Sequence, residues 1–253
     1  MSETIKSLSK ALEVLECLSL FPNGTSLQTI SQKSGHNKSS VHRILSTFEE
    51  MGYVSQVGMS KDYRLTTKLV QIGYSAMHSD VTGIVKPHLN QLLSNIDETV
   101  NFLSFDADHI IFKDKLEPAN ATFRTRTYIG LSSPMYCSAA GKCYLAFSSD
   151  EVRQAYWQRN SSTMKPLTNN TILEKDAFFA HLDEIKQRGY AIDDEENEIG
   201  ISCVAVPILD RQHNPVYAIS ISSLTPRIRN YGFEHLANLI QQTTKQIEES
   251  ING

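Results

Sequence analysis

The chain has 253 residues, of which 40% are hydrophobic and 21% charged, and its formal net charge is −4. This composition is that of an ordinary globular protein, and the negative net charge excludes a general polyanion binder. Residues 1–75 hold 8 Lys/Arg against 6 Asp/Glu, whereas residues 76–253 hold 16 against 22, so DNA binding is expected, if anywhere, in the N-terminal third.

Three helices and a β-hairpin are predicted at the N-terminus. The first helix shows apolar residues at helical spacing and stops at a Pro-Asn-Gly turn. The second begins after Ser26, a good N-cap, and ends at Gly35, and the third carries an apolar stripe over residues 41–51. The strands YVSQV and YRLT follow around the loop GMSKD, so residues 1–67 predict a winged helix-turn-helix. The apolar positions of the first helix are Leu8, Ala11, Leu12, Leu15 and Leu18.

The stretch SGHNKSSVHRIL, residues 34–45, has two alternative interpretations. A phosphate-binding loop has the form G-x-x-x-x-G-K-[ST], which requires glycines at positions 32 and 37 before Lys38. The sequence has Gln32 and Asn37 there, and a short helix precedes the stretch where a strand is needed. Without those glycines the backbone cannot wrap a phosphate, so a nucleotide-binding enzyme is disfavoured.

The second interpretation is a DNA-recognition helix. Its outer face is polar, its N-terminus suits phosphate contacts, and Arg43 can contact a guanine edge through two hydrogen bonds. A merely solvated helix face is also polar, but the preceding helix-turn and the following hairpin favour DNA binding. The candidate DNA-binding residues are Asn37, Lys38, Ser39, Ser40, His42 and Arg43 on the helix, and Lys61 and Arg64 on the hairpin.

A linker helix is predicted over residues 68–80, with a break at residues 79–83 before a helix that contains Pro87 in its first turn or at a kink. Beyond it, strands are followed by helices, strands again and a closing helix, which predicts an α+β sensor-like domain with an antiparallel sheet over residues 81–253. The strands are TVNFLSF, HIIFKDKL, SCVAVPIL and VYAISIS, and the helices span residues 139–147, 150–159, 173–188 and 233–249.

Cofactors, metals and membranes are not expected. The four cysteines, Cys17, Cys137, Cys143 and Cys203, form no C-x-x-C pair and lack zinc-ligand spacing. The N-terminus has no signal-peptide shape and no apolar run reaches 18 residues, so we expect a cytoplasmic chain with reduced thiols. The acidic run DDEENE, residues 193–198, could suggest a metal or acid–base site, but a solvated loop is favoured.

Three features suggest a ligand pocket in the C-terminal domain. Strand alternation places Ser220 and Ser222 on one face, where their hydroxyls need partners if they are buried, although that face could equally be exposed. The segment SAAGK opens a helix with small residues, which allows either a ligand at the backbone N–H groups or tight packing through Ala139, Ala140 and Gly141. Cys203 is either a small core residue or the nucleophile of a thiol enzyme, and no nucleophile motif accompanies it.

Longer motifs occur in both parts of the chain. They are SVHRILSTFEEMGYV and YRLTTKLVQIG in the N-terminal part, and RTRTYIG, SPMYCSAAGKCYLAF, GYAIDDEENEIGISCVAVPI and YAISIS in the C-terminal part. Through these motifs the chain resembles the IclR family of bacterial transcriptional regulators over nearly its whole length. The stretches KLEP, RTRTYIG, PMYCSA and EENEIGISCVAVP resemble in particular the family's sugar-acid regulators. The resemblance implies a GAF-like effector domain and a dimer formed through the DNA-binding domain and linker helix, often a dimer of dimers. It also implies operator binding controlled by a small acid.

The same resemblance implies an effector site. Arg124 is our added candidate for the effector carboxylate, because arginine pairs bidentately with carboxylates. Arg126 shares its strand face by parity, so the sequence leaves the choice between them open, and either could instead be an exposed surface arginine. We expect a DNA-binding repressor of a sugar-acid operon and no enzyme. The alternatives are an activator that senses an aromatic or 2-oxo acid, or a small thiol-dependent enzyme. The residues implied to contact the effector are Ala139, Ala140, Asp193, Cys203, Ser220 and Ser222.

Overall fold

The structure is a computed structural model that describes residues 5–57, 61–77 and 80–252. The chain divides into two compact units, residues 1–79 and 80–253. The first is a winged helix-turn-helix and the second an α+β domain, so the predicted fold class is confirmed. No helix within the described ranges is long and apolar enough to cross a bilayer.

The N-terminal unit follows the predicted order of elements. Strands β1 and β2 pair as an antiparallel wing, and Thr25 bridges to Tyr63 at its edge. Ser26 caps α2 by accepting the N–H of Thr29 at 3.2 Å, as predicted. Gly35, at φ 72°, ends α2 in the left-handed conformation. The elements are α1 (Lys6–Ser19), α2 (Leu27–Ser34), α3 (Lys38–Glu50), β1 (Val54–Val57), β2 (Asp62–Leu65) and α4 (Lys68–Met77).

The first helix faces its core through only part of the predicted apolar stripe, namely Leu18 and the partly buried Leu15. Val14, Cys17 and Leu18 are buried at i, i+3 and i+4, whereas Leu8 and Leu12 are 55% and 49% exposed. The apolar residues of α1 therefore cover two faces, and only one of them packs inside this unit.

The C-terminal unit combines helices with an antiparallel sheet. The elements are α5 (Asp80–Ser94), β3 (Thr99–Asp106), β4 (His109–Leu116), β5 (Ser132–Pro134), α6 (Ala139–Phe147), α7 (Asp150–Asn160), α8 (Lys175–Arg188), β6 (Ala191–Asp194), β7 (Ile201–Leu209), β8 (Pro215–Leu224), α9 (Thr225–Tyr231) and α10 (Phe233–Asn252). The six strands of the sheet follow the order β5-β4-β3-β8-β7-β6. The short elements β5, β6 and α9 were not predicted, because three to seven residues carry little periodicity.

The predicted break before α5 is wrong where the structure describes it. Residues 80–83 are helical, and residues 78 and 79 lie outside the described residues. Pro87 lies inside the helix, beyond its first turn. The helix tolerates Pro87 because Val85 and Leu89 on either side of it are fully buried. Tertiary packing of this apolar face outweighs the local disruption by the proline.

The sheet is buried on both faces, and strand alternation assigns its residues to two separate cores. One face packs against α5 and α10 through residues such as Phe102 and Ile221. The other packs against a layer of α6, α7 and α8 through Leu103, Ala205 and Ala218. Cys203 of β7 and Ser220 and Ser222 of β8 lie on this second face and, with Leu103 of β3, form one wall of the candidate site.

Candidate functional site

The polar face of α3 forms a candidate DNA-binding surface. Val41 and Leu45 are fully buried behind it and hold the helix on the core of the N-terminal unit. On the outer side Ser40 is half-buried, and the other predicted residues are exposed, including two on the wing. These exposed residues are Asn37, Lys38, Ser39, His42, Arg43, Lys61 and Arg64.

Some polar groups of this surface already have hydrogen-bond partners within the protein, whereas others are available to a ligand. The side-chain oxygen of Asn37 caps α3 by accepting the N–H of Ser40 at 2.9 Å, and it also accepts the hydroxyl of Ser39 at 2.9 Å. Among the described residues no ion pair or hydrogen bond engages the charged ends of Lys38 and Arg43, so both are available to a ligand. Arg64 donates from Nε to Ser55 at 3.4 Å.

A cavity of about 280 Å³ lies within the C-terminal unit. Its walls are the second face of the sheet, the N-terminus of α6 and the irregular segment 117–131. The structure brings all seven predicted effector residues to this cavity. They are Arg124, Ala139, Ala140, Asp193, Cys203, Ser220 and Ser222.

The sheet wall of the cavity carries two buried hydroxyls. Ser220 and Ser222 are only 5% and 7% exposed, so the alternative of a solvent-exposed face is wrong. Asn101 on β3, which sequence reasoning missed, is fully buried and donates from Nδ2 to both hydroxyls at 3.2 Å. Cys203 lies opposite Ser222 in the sheet. Burial raises the pKa of its thiol, so Cys203 stays neutral and is a poor nucleophile.

The N-terminus of α6 forms a second wall. Ser138 caps it by accepting the N–H of Gly141 at 3.2 Å, and the first-turn N–H groups of Ala139 and Ala140 have no carbonyl partner within the helix. A Cβ at Gly141 would lie 2.3 Å from the Cα of Met135. Gly141 therefore permits tight packing, and Ala139 and Ala140 line the cavity, where a ligand at their N–H groups stays a prediction.

A buried charge cluster lies beside the cavity. Lys142 on α6 is fully buried and pairs with Glu196, and its Nζ also donates to the carbonyl of Ile192 at 2.6 Å. Its Nζ lies 3.3 Å from Nε2 of His181. Burial and the charge of Lys142 lower the pKa of His181 to about 4, so that ring is neutral and can accept a hydrogen bond. Asp193 and Glu196 are buried, so the expectation of a solvated loop is wrong for these two residues of the acidic run.

Asp193 joins this cluster to the cavity. Its Oδ1 accepts the N–H groups of Glu196 at 2.8 Å and Asn197 at 3.3 Å, which shapes the turn after β6. Burial raises the pKa of Asp193 to about 7, although Lys142 opposes the rise. Near neutral pH much of this carboxyl is therefore protonated and able to donate a hydrogen bond to a ligand. No three His, Cys, Asp or Glu side chains among the described residues could hold a metal.

The segment 117–131 covers the cavity without forming a strand over Arg124 and Arg126, so the predicted strand there is wrong. Its backbone is held by Lys115, whose Nζ donates to the carbonyls of Thr125 at 3.0 Å and Thr127 at 2.9 Å. These carbonyls bond to a side chain and not to a neighbouring strand. Both arginines line the cavity. The side chain of Arg124 is 66% exposed, and its Nη1 lies 3.5 Å from Oε2 of Glu117.

Comparison with known proteins identifies the family. The family described as bacterial transcriptional regulator IclR C-terminal matches residues 74–249, and the IclR helix-turn-helix domain matches residues 7–58. The DNA-binding transcriptional repressor YiaJ of Escherichia coli (strain K12) is 41% identical over 97% of this chain and 88% of its own length. The HTH-type transcriptional regulator KdgR of the same strain is 30% identical over 97% and 92%.

Solved structures agree with these relatives. The crystal structure of the Thermotoga maritima IclR has a TM-score of 0.78 and 28% identity, and it covers 99% of this chain and 100% of its own. Two domain matches that together span nearly the whole sequence, and a relative above 40% identity, establish the assignment. The chain belongs to the IclR family and is a DNA-binding transcriptional regulator with a C-terminal effector-binding domain.

Proposed function

We propose that this regulator is a cytoplasmic repressor of a sugar-acid catabolic operon, and that a small carboxylate in the cavity changes its affinity for the operator. The observation that carries the proposal is that the six residues implied by the family resemblance, and the added candidate Arg124, all line one cavity. The relative YiaJ is named a repressor. The motifs of this chain resemble those of the repressor of 2,3-diketo-L-gulonate utilisation, which favours a sugar acid or a related 2-oxo acid as the effector.

The cavity suits such a ligand in size and chemistry. A volume of about 280 Å³ corresponds to roughly nine water molecules, enough for a small organic acid. The backbone N–H groups at the start of α6, the guanidinium of Arg124 and the serine hydroxyls all supply donors. A neutral Asp193 adds a donor without repelling a carboxylate. The thiol of Cys203 is held neutral, which supports a sensor and not a thiol-dependent enzyme.

We propose that the protein acts as a homodimer or a dimer of dimers. The exposed apolar residues Leu8 and Leu12 on α1, and Val70 and Ile72 on α4, are suited to contact a second copy. Two recognition helices in one dimer must match half-sites about 34 Å apart or a multiple of that distance. An effector that binds two arrangements of the oligomer unequally would then change operator affinity.

Replacing Arg43 with alanine is expected to weaken operator binding by about 10–100-fold, because one bidentate base contact contributes about 1–3 kcal/mol. Fluorescence anisotropy with the protein's own promoter region, against an unrelated duplex, measures the loss. The variant should bind the unrelated duplex almost as well as the wild type.

Lys38→Ala is the matched control, because a phosphate contact carries no base information. It should weaken binding to both duplexes and lower the slope of log K against log salt by about 1. If the wild-type protein does not bind its own promoter region at low salt, the protein is not a repressor that acts at that promoter. If Arg43→Ala still prefers the promoter over the unrelated duplex as strongly as the wild type does, α3 is not the recognition helix.

A thermal-shift screen of sugar acids and small 2-oxo acids tests the effector site. We expect at least one acid to raise the melting temperature of the wild type. Ser220→Ala and Arg124→Ala should each reduce that shift, because each removes a donor from the cavity wall. Arg126→Ala is the control that separates the two arginines. Shifts that survive both Ser220→Ala and Arg124→Ala unchanged would place the effector elsewhere.

A further inference from the structure

We propose that Asn101 is a positioning residue that turns Ser220 and Ser222 into a pair of hydrogen-bond donors aimed at an oxygen acceptor of the effector. This inference rests on the proposed effector site and specifies which chemical group of the effector meets the sheet wall. The group is a carbonyl or carboxylate oxygen.

The three side chains form one buried unit across two strands. Asn101 lies directly opposite Ser220 in the pairing of β3 with β8, and it is fully buried. Its Nδ2 is 3.2 Å from the hydroxyl oxygens of both Ser220 and Ser222, so each N–H of the amide has its own acceptor. Within the described residues, no other polar side chain forms hydrogen bonds with both serines.

The orientation of the Asn101 amide follows from counting donors and acceptors. With Nδ2 toward the serines, only Oδ1 of Asn101 lacks a partner. The flipped amide would accept from both hydroxyls and would leave two buried N–H bonds unpaired. Unpaired buried N–H groups are rarer in proteins than under-satisfied carbonyl oxygens, so the first orientation is the stable one.

This orientation decides where the serine hydrogens go. Each hydroxyl oxygen already accepts from Asn101, so its own hydrogen must be donated to another group. On the other neighbouring strand, β7, Ala205 lies opposite Ser220, and Cys203, whose thiol is a weak acceptor, lies opposite Ser222. Both serines line the cavity. A ligand oxygen there completes the bonding of both serines, whereas an amine or ammonium group would meet their hydrogens.

A double-mutant cycle tests the inference. We would measure by titration calorimetry the binding of 2,3-diketo-L-gulonate and of pyruvate to four proteins. These are the wild type, Asn101→Leu, the double variant Ser220→Ala/Ser222→Ala, and the triple variant. Asn101→Leu should weaken binding by about 10-fold in the wild-type background, as expected for two hydrogen bonds of ordinary strength. It should change binding by less than about 2-fold once both serines are alanine.

Two further variants make the result specific. Asn101→Asp places an acceptor at the same position, draws both serine hydrogens away from the cavity and should weaken binding more than Asn101→Leu. Asn238→Leu, at an exposed position on α10, should leave binding unchanged. The melting temperature of each unliganded variant is recorded, so that lost stability is separated from lost affinity.

The outcomes distinguish this inference from the proposed function. If the wild type binds neither acid, the proposed effector class fails and this inference fails with it. If the wild type binds but Asn101→Leu weakens binding by the same factor in both backgrounds, Asn101 is only a structural residue. The proposed function then stands and the inference is overturned.

Discussion

Replacing Lys142 with methionine is expected to lower the free energy of unfolding of the C-terminal unit by about 3–5 kcal/mol. Lys142 is fully buried, and its ammonium neutralises Glu196 while also bonding to the carbonyl of Ile192. Methionine has a similar length and keeps the packing, but it leaves a buried carboxylate without a counter-charge. Urea denaturation followed by the fluorescence of Trp157, the single tryptophan of the sequence, measures the loss.

The double variant Lys142→Met/Glu196→Leu is the decisive control. Replacing both members of a buried ion pair by apolar residues is often nearly neutral, so most of the lost stability should return. Lys165→Met, at an exposed position, controls for the substitution itself and should change stability by less than about 0.5 kcal/mol. Equal destabilisation in the single and double variants would mean that packing, and not charge, is what Lys142 supplies.

Replacing Gly141 with alanine is expected to destabilise the same unit by more than about 3 kcal/mol, or to prevent its folding. The new Cβ would lie 2.3 Å from the Cα and 2.5 Å from the carbonyl oxygen of Met135. A backbone neighbour cannot rotate away as a side chain can, so α6 or the turn before it must move. Such a movement displaces Ala139 and Ala140 and reduces effector binding in the thermal-shift screen.

Gly83→Ala is the matched control for this substitution. Gly83 is also helical and lies in the same unit, and a Cβ there meets no heavy atom within 4 Å. Alanine is the better helix former, so this variant should gain about 0.5–1 kcal/mol. If Gly141→Ala denatures at the same urea concentration as the wild type, the close packing of α6 on Met135 is not required.

Much of the fold could be predicted because its signals are local. The N-cap Ser26 and the C-terminal Gly35 mark the ends of α2, and the apolar stripe of α3 matches its buried face except at Met51, which is exposed. Segments without local signals were not predicted. The backbone over Arg124 is bonded by the distant Lys115 side chain, and this tertiary contact leaves no pattern in the sequence around the arginine.

The candidate site could likewise be predicted where its signals are local or shared with the family, but not where it depends on tertiary contacts. Strand alternation placed Ser220 and Ser222 on one face, and family resemblance added Asp193 and the two alanines. Asn101 was missed because the sequence gives no register between β3 and β8. Lys142 was missed because a lysine in a helix is normally solvated, and only the fold shows that Glu196 meets it.

The pairing of β3 with β8 has a consequence for how the chain folds. The contacts of Asn101 with Ser220 and Ser222 join residues 119 and 121 positions apart. The wing of the N-terminal unit, by contrast, is completed by the pairing of Thr25 with Tyr63, which are much closer to each other in the sequence. Closing long loops slows folding, and domains fold from the N-terminus as the chain is synthesised. The DNA-binding unit can therefore be complete on the ribosome while the sheet wall of the cavity still lacks its central strand.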